Sequence, residues 1–312
     1  MPEIEHANRT DHPRQVERKG SAKPAKAPEA EQSTESESGF DLDAYLDVIG
    51  WNGARRADVA TLRGMHWAHL LTFPFENLDL LSATVPSLRP SDLMAKLVHS
   101  RRGGYCFEQN TLFALALQAL GFEVTPVAGR VVLGADSVES RPRTHMTLVV
   151  RAPGNLQPYL ADVGFGSVGG LVEPVPLTVD VESHHRGRRH RLVHLPRSGP
   201  LELWSLQARA PGDVAGESWI SQYVFTLDPF ESIDTQVANW YVATHPRSPF
   251  RSRLFVQRAT PDGHLALDGR HLIETAPDGA VTERDLSDEA EVLRVLDERF
   301  GITAPESPQL RY

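Results

Sequence analysis

Cysteine is nearly absent: Cys106 stands alone among 312 residues. That scarcity excludes internal disulfides and any zinc site built from several thiolates, and it fits a reducing, cytoplasmic setting. No run of about 18 apolar residues occurs, so no transmembrane helix is expected. The first residues are charged and hold no apolar stretch, so no secretory signal is expected. Positive charge is also short. Lys and Arg number 32 against 41 Asp and Glu, a net charge of −9. Such an acidic chain is not expected to work mainly on nucleic acid. Neither a Walker A loop nor a Rossmann fingerprint is present, and no internal repeat is visible. Composition is otherwise that of a soluble globular protein, 40% hydrophobic and 23% charged. The length allows two or three domains.

Residues 1–38 hold few large apolar side chains, and 21–38 run from Ala/Lys/Pro into Glu/Ser. Burial there cannot offset ordering entropy, so a disordered tail is expected. From Phe40 the pattern is helical. Apolar residues recur at helical spacing in 41–50, in 58–71 with Asp58 as N-cap, and in 90–98 with Ser91 capping. A fourth helix follows Cys106 and stops at Gly121. The period then changes from 3.6 to 2. Strands are expected over 122–133, 144–150, 157–163, 189–195, 201–206 and 219–227. A helix over 230–240, three short strands and a capped terminal helix at 287–301 complete the chain. His66 and His69, three apart on one helix, are better explained by core packing than by a metal. The cluster His184 to His190 reads as a solvated hairpin tip, with a phosphate or metal role as the alternative.

The stretch around the lone cysteine carries the chemistry. Gly103 and Gly104 lead straight into the helix, placing Cys106 at or near its N-terminus. Free N–H groups and the macrodipole there favour a thiolate over a thiol. A nucleophilic cysteine needs a base, and the base needs an orienting group. His145 lies on one face of a strand with Thr147 and Val149. Asp162 lies in the returning strand between Ala161 and Val163, where a carboxylate is costly to bury unless paired. Cys106, His145 and Asp162 are therefore the candidate nucleophile, base and carboxylate. This pattern does not separate acyl transfer from hydrolysis.

Several segments, in order, resemble the arylamine N-acetyltransferase family. They are Phe73-Pro-Phe-Glu-Asn-Leu-Asp79, Arg102-Gly-Gly-Tyr-Cys-Phe-Glu-Gln-Asn110, Arg143-Thr-His-Met146 and Asp162-Val-Gly-Phe-Gly166. Tyr223 and Phe225, Asn239-Trp-Tyr241 and Pro246-Arg-Ser-Pro-Phe250 follow. The resemblance runs from about Asp41 to Phe300. It implies an α+β fold: an N-terminal helical bundle (39–121), a central β-barrel-like domain (122–228) and a C-terminal α/β lid (229–312), with a cysteine-protease-like catalytic core. It implies ping-pong transfer of acetyl from acetyl-CoA through acetyl-Cys106 to an arylamine, arylhydroxylamine or arylhydrazine, with no metal. By family position, acetyl-CoA would meet Arg143, Thr144, Gly164, Gly166, Tyr241 and Ser248, while Phe75, Tyr105 and Phe165 would line the acceptor pocket. Glu76 would pair with Arg102. Two alternatives stay open at this point. One is an amide synthase that closes a macrolactam from a carrier-bound acyl chain, and the other is a cysteine hydrolase. Monomer and homodimer are equally compatible.

Overall fold

The computed structural model describes residues 39–209 and 218–304. The tail expected over 1–38 lies outside them.

Four of the expected helices form where the spacing predicts them. Helix α1 spans Leu42–Val48 and α2 spans Val59–Thr72. Asp41 and Asp58 cap them, each accepting a backbone N–H three residues on. Two short helices follow, α3 at Leu78–Leu81 and α4 at Pro90–Leu93. Ser91 is not the cap of α4. Pro90 takes the first helical position, where its missing N–H costs nothing, so the cap falls on Arg89, which offers no side-chain bond. The chain continues as a π-helical turn over Met94–Val98. Helix α5 then runs Cys106–Ala119.

Strands take over beyond Gly121. In chain order they are β2 (Glu123–Val131), β3 (His145–Arg151), β4 (Tyr159–Ala161), β5 (Val175–Pro176), β6 (Glu182–His185), β7 (Arg188–Leu195), β8 (Leu203–Ala208) and β9 (Ile220–Pro229). They form one eight-stranded sheet ordered β5-β4-β3-β2-β9-β8-β7-β6. Its outer strands, β5 and β6, are joined by only five residues. That link can span about 20 Å, whereas eight strands laid flat would be about 34 Å wide. The sheet must therefore curl into a nearly closed barrel. The link itself pairs with β7, through Asp180 N–H donating to Leu192 O at 2.8 Å.

Helix α6 (Ser232–Thr244) leads into a second sheet. Its strands are β10 (Phe255–Thr260), β11 (Gly263–Asp268), β12 (His271–Thr275) and β13 (Val281–Asp285), and helix α7 (Glu289–Glu298) packs on it. The fifth strand of this sheet comes from far upstream. Phe75–Glu76, or β1, pairs antiparallel with β10, Phe75 opposite Gln257 and Glu76 opposite Val256. The sequence pattern did not reveal β1, β5, β6 or β13. Two-residue strands carry no readable period, and every residue of β13 is exposed.

Helix α5 is the hub of the largest core. Its Leu112, Phe113, Ala116 and Leu117 pack with Tyr45 and Leu46 of α1, Leu62 and Met65 of α2, and Leu148 and Val150 of β3. Helix α5 is thereby sandwiched between helices and barrel. His66 and His69 belong to this interior. His69 Nδ1 bonds the Tyr45 hydroxyl at 2.8 Å, and its Nε2 meets Gln109 Oε1 at 2.7 Å. No helix among the described residues is long and apolar enough to cross a membrane.

Phe113 has no exposed surface. Phe113→Ala should lower unfolding stability by about 3–5 kcal/mol through lost burial and the cavity left behind. Equilibrium urea unfolding measures this, and a loss below about 1 kcal/mol would contradict the packing.

Candidate active site

Cys106 is the first residue of α5, and Tyr105 is its N-cap. The glycines before it are set by close contacts. A Cβ on Gly103 would lie 2.0 Å from Pro74 O, a distance no side chain tolerates. Gln109, one turn into the helix, fastens the same turn from inside. Its Nε2 donates to Pro74 O at 2.8 Å and to Gly104 O at 3.2 Å.

A buried charge cluster surrounds this turn. Arg102 reaches Glu76 Oε1 and Asp79 Oδ1, each at 2.7 Å. Lys96 reaches Asp79 at 2.6 Å and Glu108 at 2.7 Å. The expected Glu76–Arg102 pair is therefore present, within a group of five charges. Glu108 also accepts the Tyr105 N–H at 3.2 Å, half of a capping box. Burial pushes its carboxyl up to about 7, against the pull of Lys96.

His145 opens β3, and Asp162 follows β4 directly. These strands pair antiparallel, Leu148 opposite Ala161. The hairpin brings His145 Nε2 to 2.7 Å from Asp162 Oδ2, with both groups buried. With Nε2 so engaged, Nδ1 is the ring nitrogen left for Cys106. Cys106 Sγ lies 3.6 Å from the carbonyl oxygen of Thr144, the residue before His145. Burial alone would push His145 down. The Asp162 charge and hydrogen bond outweigh it, a hydrogen bond with Cys106 adds to them, and the pKa rises to about 10. Burial likewise opposes the Asp162 carboxylate, and His145 holds its pKa below the usual range.

Sequence reasoning missed the other residues of this centre. Asn110 Nδ2 donates to the second Asp162 oxygen at 3.0 Å and to Met146 O at 2.8 Å, while its Oδ1 accepts the Val163 N–H. Its spacing was the available signal, since i+4 from Cys106 is the same helix face. His66 Nε2 bonds the Asp162 backbone. Tyr223 packs on His145 with ring centroids 4.7 Å apart. Gly164, which sequence reasoning had named as an acetyl-CoA contact, presses on Cys106: a Cβ there would sit 2.8 Å from its Cα.

The remaining candidates separate into groups. Arg143, Thr144 and Tyr241 line one cleft of about 420 Å³, with Val237 and Phe230. Gly164, Gly166 and Ser248 do not line it. Phe75, Phe165 and Gly166 border a second, smaller cavity behind the triad. Phe165 also meets the His145 ring edge-on at 5.4 Å. Tyr105 lines neither. It is fully buried against Phe107 and Phe250, with its hydroxyl donating to Asn239.

The N-acetyltransferase family model matches residues 58–307. The arylamine N-acetyltransferase of Mycolicibacterium smegmatis is 40% identical over 265 residues, covering 84% of this chain and 92% of its own. The chain belongs to the arylamine N-acetyltransferase family. Among solved family structures, the Nocardia farcinica arylamine N-acetyltransferase superposes with a TM-score of 0.80 at 40% identity, covering 86% of this chain and 92% of that one. The Mycobacterium marinum enzyme in complex with CoA superposes at 0.77 with 35% identity, covering 84% and 93%.

Two outcomes follow from the charges. Arg102→Met leaves Glu76 buried without its strongest partner and should cost about 3–5 kcal/mol of stability, read by urea unfolding. A near-neutral result would contradict the cluster's role. His145 carries a folded-state pKa of about 10, above the ordinary value of about 6.5. Its protonated form therefore adds stability that is full below about pH 6.5 and is lost as pH rises toward about 10. Thermal unfolding across that range should show a flatter curve for His145→Gln than for the wild type. Equal slopes would mean that the ion pair is not formed.

Proposed function

We propose that this chain transfers an acetyl group from acetyl-CoA to an arylamine, arylhydroxylamine or arylhydrazine by a ping-pong route, with Cys106, His145 and Asp162 as the catalytic triad. The observation that carries the reading is a helix-start cysteine facing the base of a buried His–Asp pair, in a member of the arylamine N-acetyltransferase family. His145 takes the Cys106 proton, and the thiolate attacks the thioester carbonyl. As the tetrahedral intermediate collapses, the C–S bond to CoA breaks and His145 protonates the leaving thiolate. Acetyl-Cys106 remains. The amine then attacks that thioester, His145 accepts its proton, and the Cys106 thiolate leaves as the amide forms. Asp162 keeps the imidazole oriented and offsets its positive charge throughout. The Cys106 backbone N–H, at the first helical position, is a donor for the oxyanion. An arylamine is neutral at pH 7 and attacks without first losing a proton.

Arg143, Thr144 and Tyr241 are the favoured acetyl-CoA contacts, because they share the cleft beside Cys106. An arginine there suits the CoA phosphates. Gly164 acts by keeping the turn close to Cys106 and Gly166 by keeping it close to Phe75, and Ser248 is a more remote candidate. Phe75 and Phe165 are offered as acceptor-side walls, and Tyr105 as support behind them. The helical part (39–121), the barrel (122–228) and the lid (229–312) fit a cysteine-protease-like core, with the nucleophile on one part and the base on the next. A cytoplasmic enzyme without a metal fits this chemistry.

The test is acyl-enzyme mass spectrometry. Acetyl-CoA alone should add one acetyl group to the wild type and none to Cys106→Ala, and an arylamine should discharge it. Asp162→Asn should remain folded yet lose about a thousandfold or more in rate. Acetylation of Cys106→Ala, or near-full activity of Asp162→Asn, would reject the triad.

A further inference from the structure

The segment His184 to His190 is not the simple solvated tip that its composition suggests. Arg186 and Gly187 form the tight turn between β6 and β7, both at positive φ. Arg186 folds back over the Trp67 ring at 4.2 Å. Glu173 draws the neighbouring cations together: His185 at 3.1 Å, Arg186 at 3.7 Å and Arg63 at 3.9 Å. Arg188 is left out of this arrangement.

Arg188 is a mostly buried guanidinium whose bonded partner is the Val168 carbonyl. No carboxylate pairs with it among the described residues. Burial alone lowers its pKa, to about 10, which is what an uncompensated interior cation undergoes. It lines a cavity of about 40 Å³ at the meeting of barrel, α2 and second sheet. It also lines a second cavity of about 30 Å³. Arg258 lines the larger cavity too, and its donors reach only carbonyl oxygens, those of Leu71 and Arg299. His264 completes this wall. Its Nε2 meets Gln257 Oε1 at 2.7 Å, while its Nδ1 is buried without a partner. Reversing the Gln257 amide moves the imidazole proton to Nδ1, so the pair can offer a donor there. The lining carboxylate is Asp162, already committed to His145, Asn110 and Gly164.

Arg188, Arg258 and His264, the last with an unpartnered ring nitrogen, thus line one small space, and neither guanidinium has a carboxylate partner among the described residues. Leaving a cation so enclosed is expensive. We propose that this cavity binds a small monovalent anion of acetate size, held by Arg188 with Arg258 and His264 beside it. Size sets the class. One water needs about 10–15 Å³ of such space, so the cavity takes a few heavy atoms, a carboxylate group but not a nucleotide. As a site for a free anion it does not depend on the acyl-transfer reading; only its aminobenzoate arm rests on that reading.

A carboxylate can arrive free or as the ring substituent of an aminobenzoate, and the experiment separates the two. The full chain is titrated with sodium acetate while ionic strength is held constant with a bulky sulfonate that cannot enter. Wild type should show a saturable rise in Tm of about 2–4 °C at tenfold over Kd, and Arg188→Gln should show none. An equal rise in both, or no rise in either, overturns the proposal. Should Arg188→Gln fail to fold, wild-type crystals soaked in bromide decide: an anomalous peak beside Arg188 supports the site, and peaks elsewhere only refute it. If an aminobenzoate is the occupant, acetate competes with para-aminobenzoate and raises its KM, while the KM for para-toluidine, which has no carboxylate, stays put. If the free anion is the occupant, neither KM moves while Tm still rises.

Discussion

The Asp162 carboxylate lies buried at the end of β4, and three donors keep it charged there. They are the His145 ring from β3, the Asn110 amide from α5 and the Gly164 N–H of its own turn. Burying an unpaired carboxylate would cost far more than any one contact returns. The fold therefore has to bring all three donors together. In doing so it joins the nucleophile helix to the barrel and fixes the imidazole beside Cys106. The His66 contact to the Asp162 backbone ties α2 to the same point.

A second buried charge group governs the other side of the nucleophile. Glu76, Asp79, Lys96, Arg102 and Glu108 surround the turn that precedes Cys106. Three acids face two bases, and the surplus falls on Glu108, whose carboxyl is pushed up to about 7. Interior ion groups like this add little net stability but punish the loss of a member. Their geometry fixes the glycine turn, and the turn fixes where α5 begins. The two groups act on Cys106 from opposite ends, one through its base and one through its backbone.

Much of this was legible from residue order. Helical spacing located α1, α2, α5 and α7, and alternation located β2, β3 and β9. The three residues proposed as the triad came from a lone cysteine after two glycines, a histidine in an apolar strand and a carboxylate in the next one. What escaped were features whose local signal was weak or outweighed. Asn110 and Gln109 look like surface polar residues of a helix until α5 is known to be enclosed on both sides. Arg188 looks solvated until the hairpin folds onto the second sheet. The cap of α4 went to Arg89 because a proline outranked the serine after it. The misses at Asn110, Gln109 and Arg188 reflect tertiary burial, which no window of a dozen residues reports, whereas the cap turned on the neighbouring proline.

The pairing of β1 with β10 also has a temporal side. Phe75 and Glu76 lie before the Gly103–Gly104 turn, yet their strand partners are Gln257 and Val256. On the ribosome the nucleophile segment emerges long before the strand that clamps it. Closing so long a loop is slow, because chain entropy is lost before the contact forms. Glu76 is then without its sheet, and the glycine turn without its outer wall, through most of synthesis. Cys106 thus acquires its final surroundings only when the last quarter of the chain has docked. Order of manufacture makes this centre one of the last parts of the molecule to be finished.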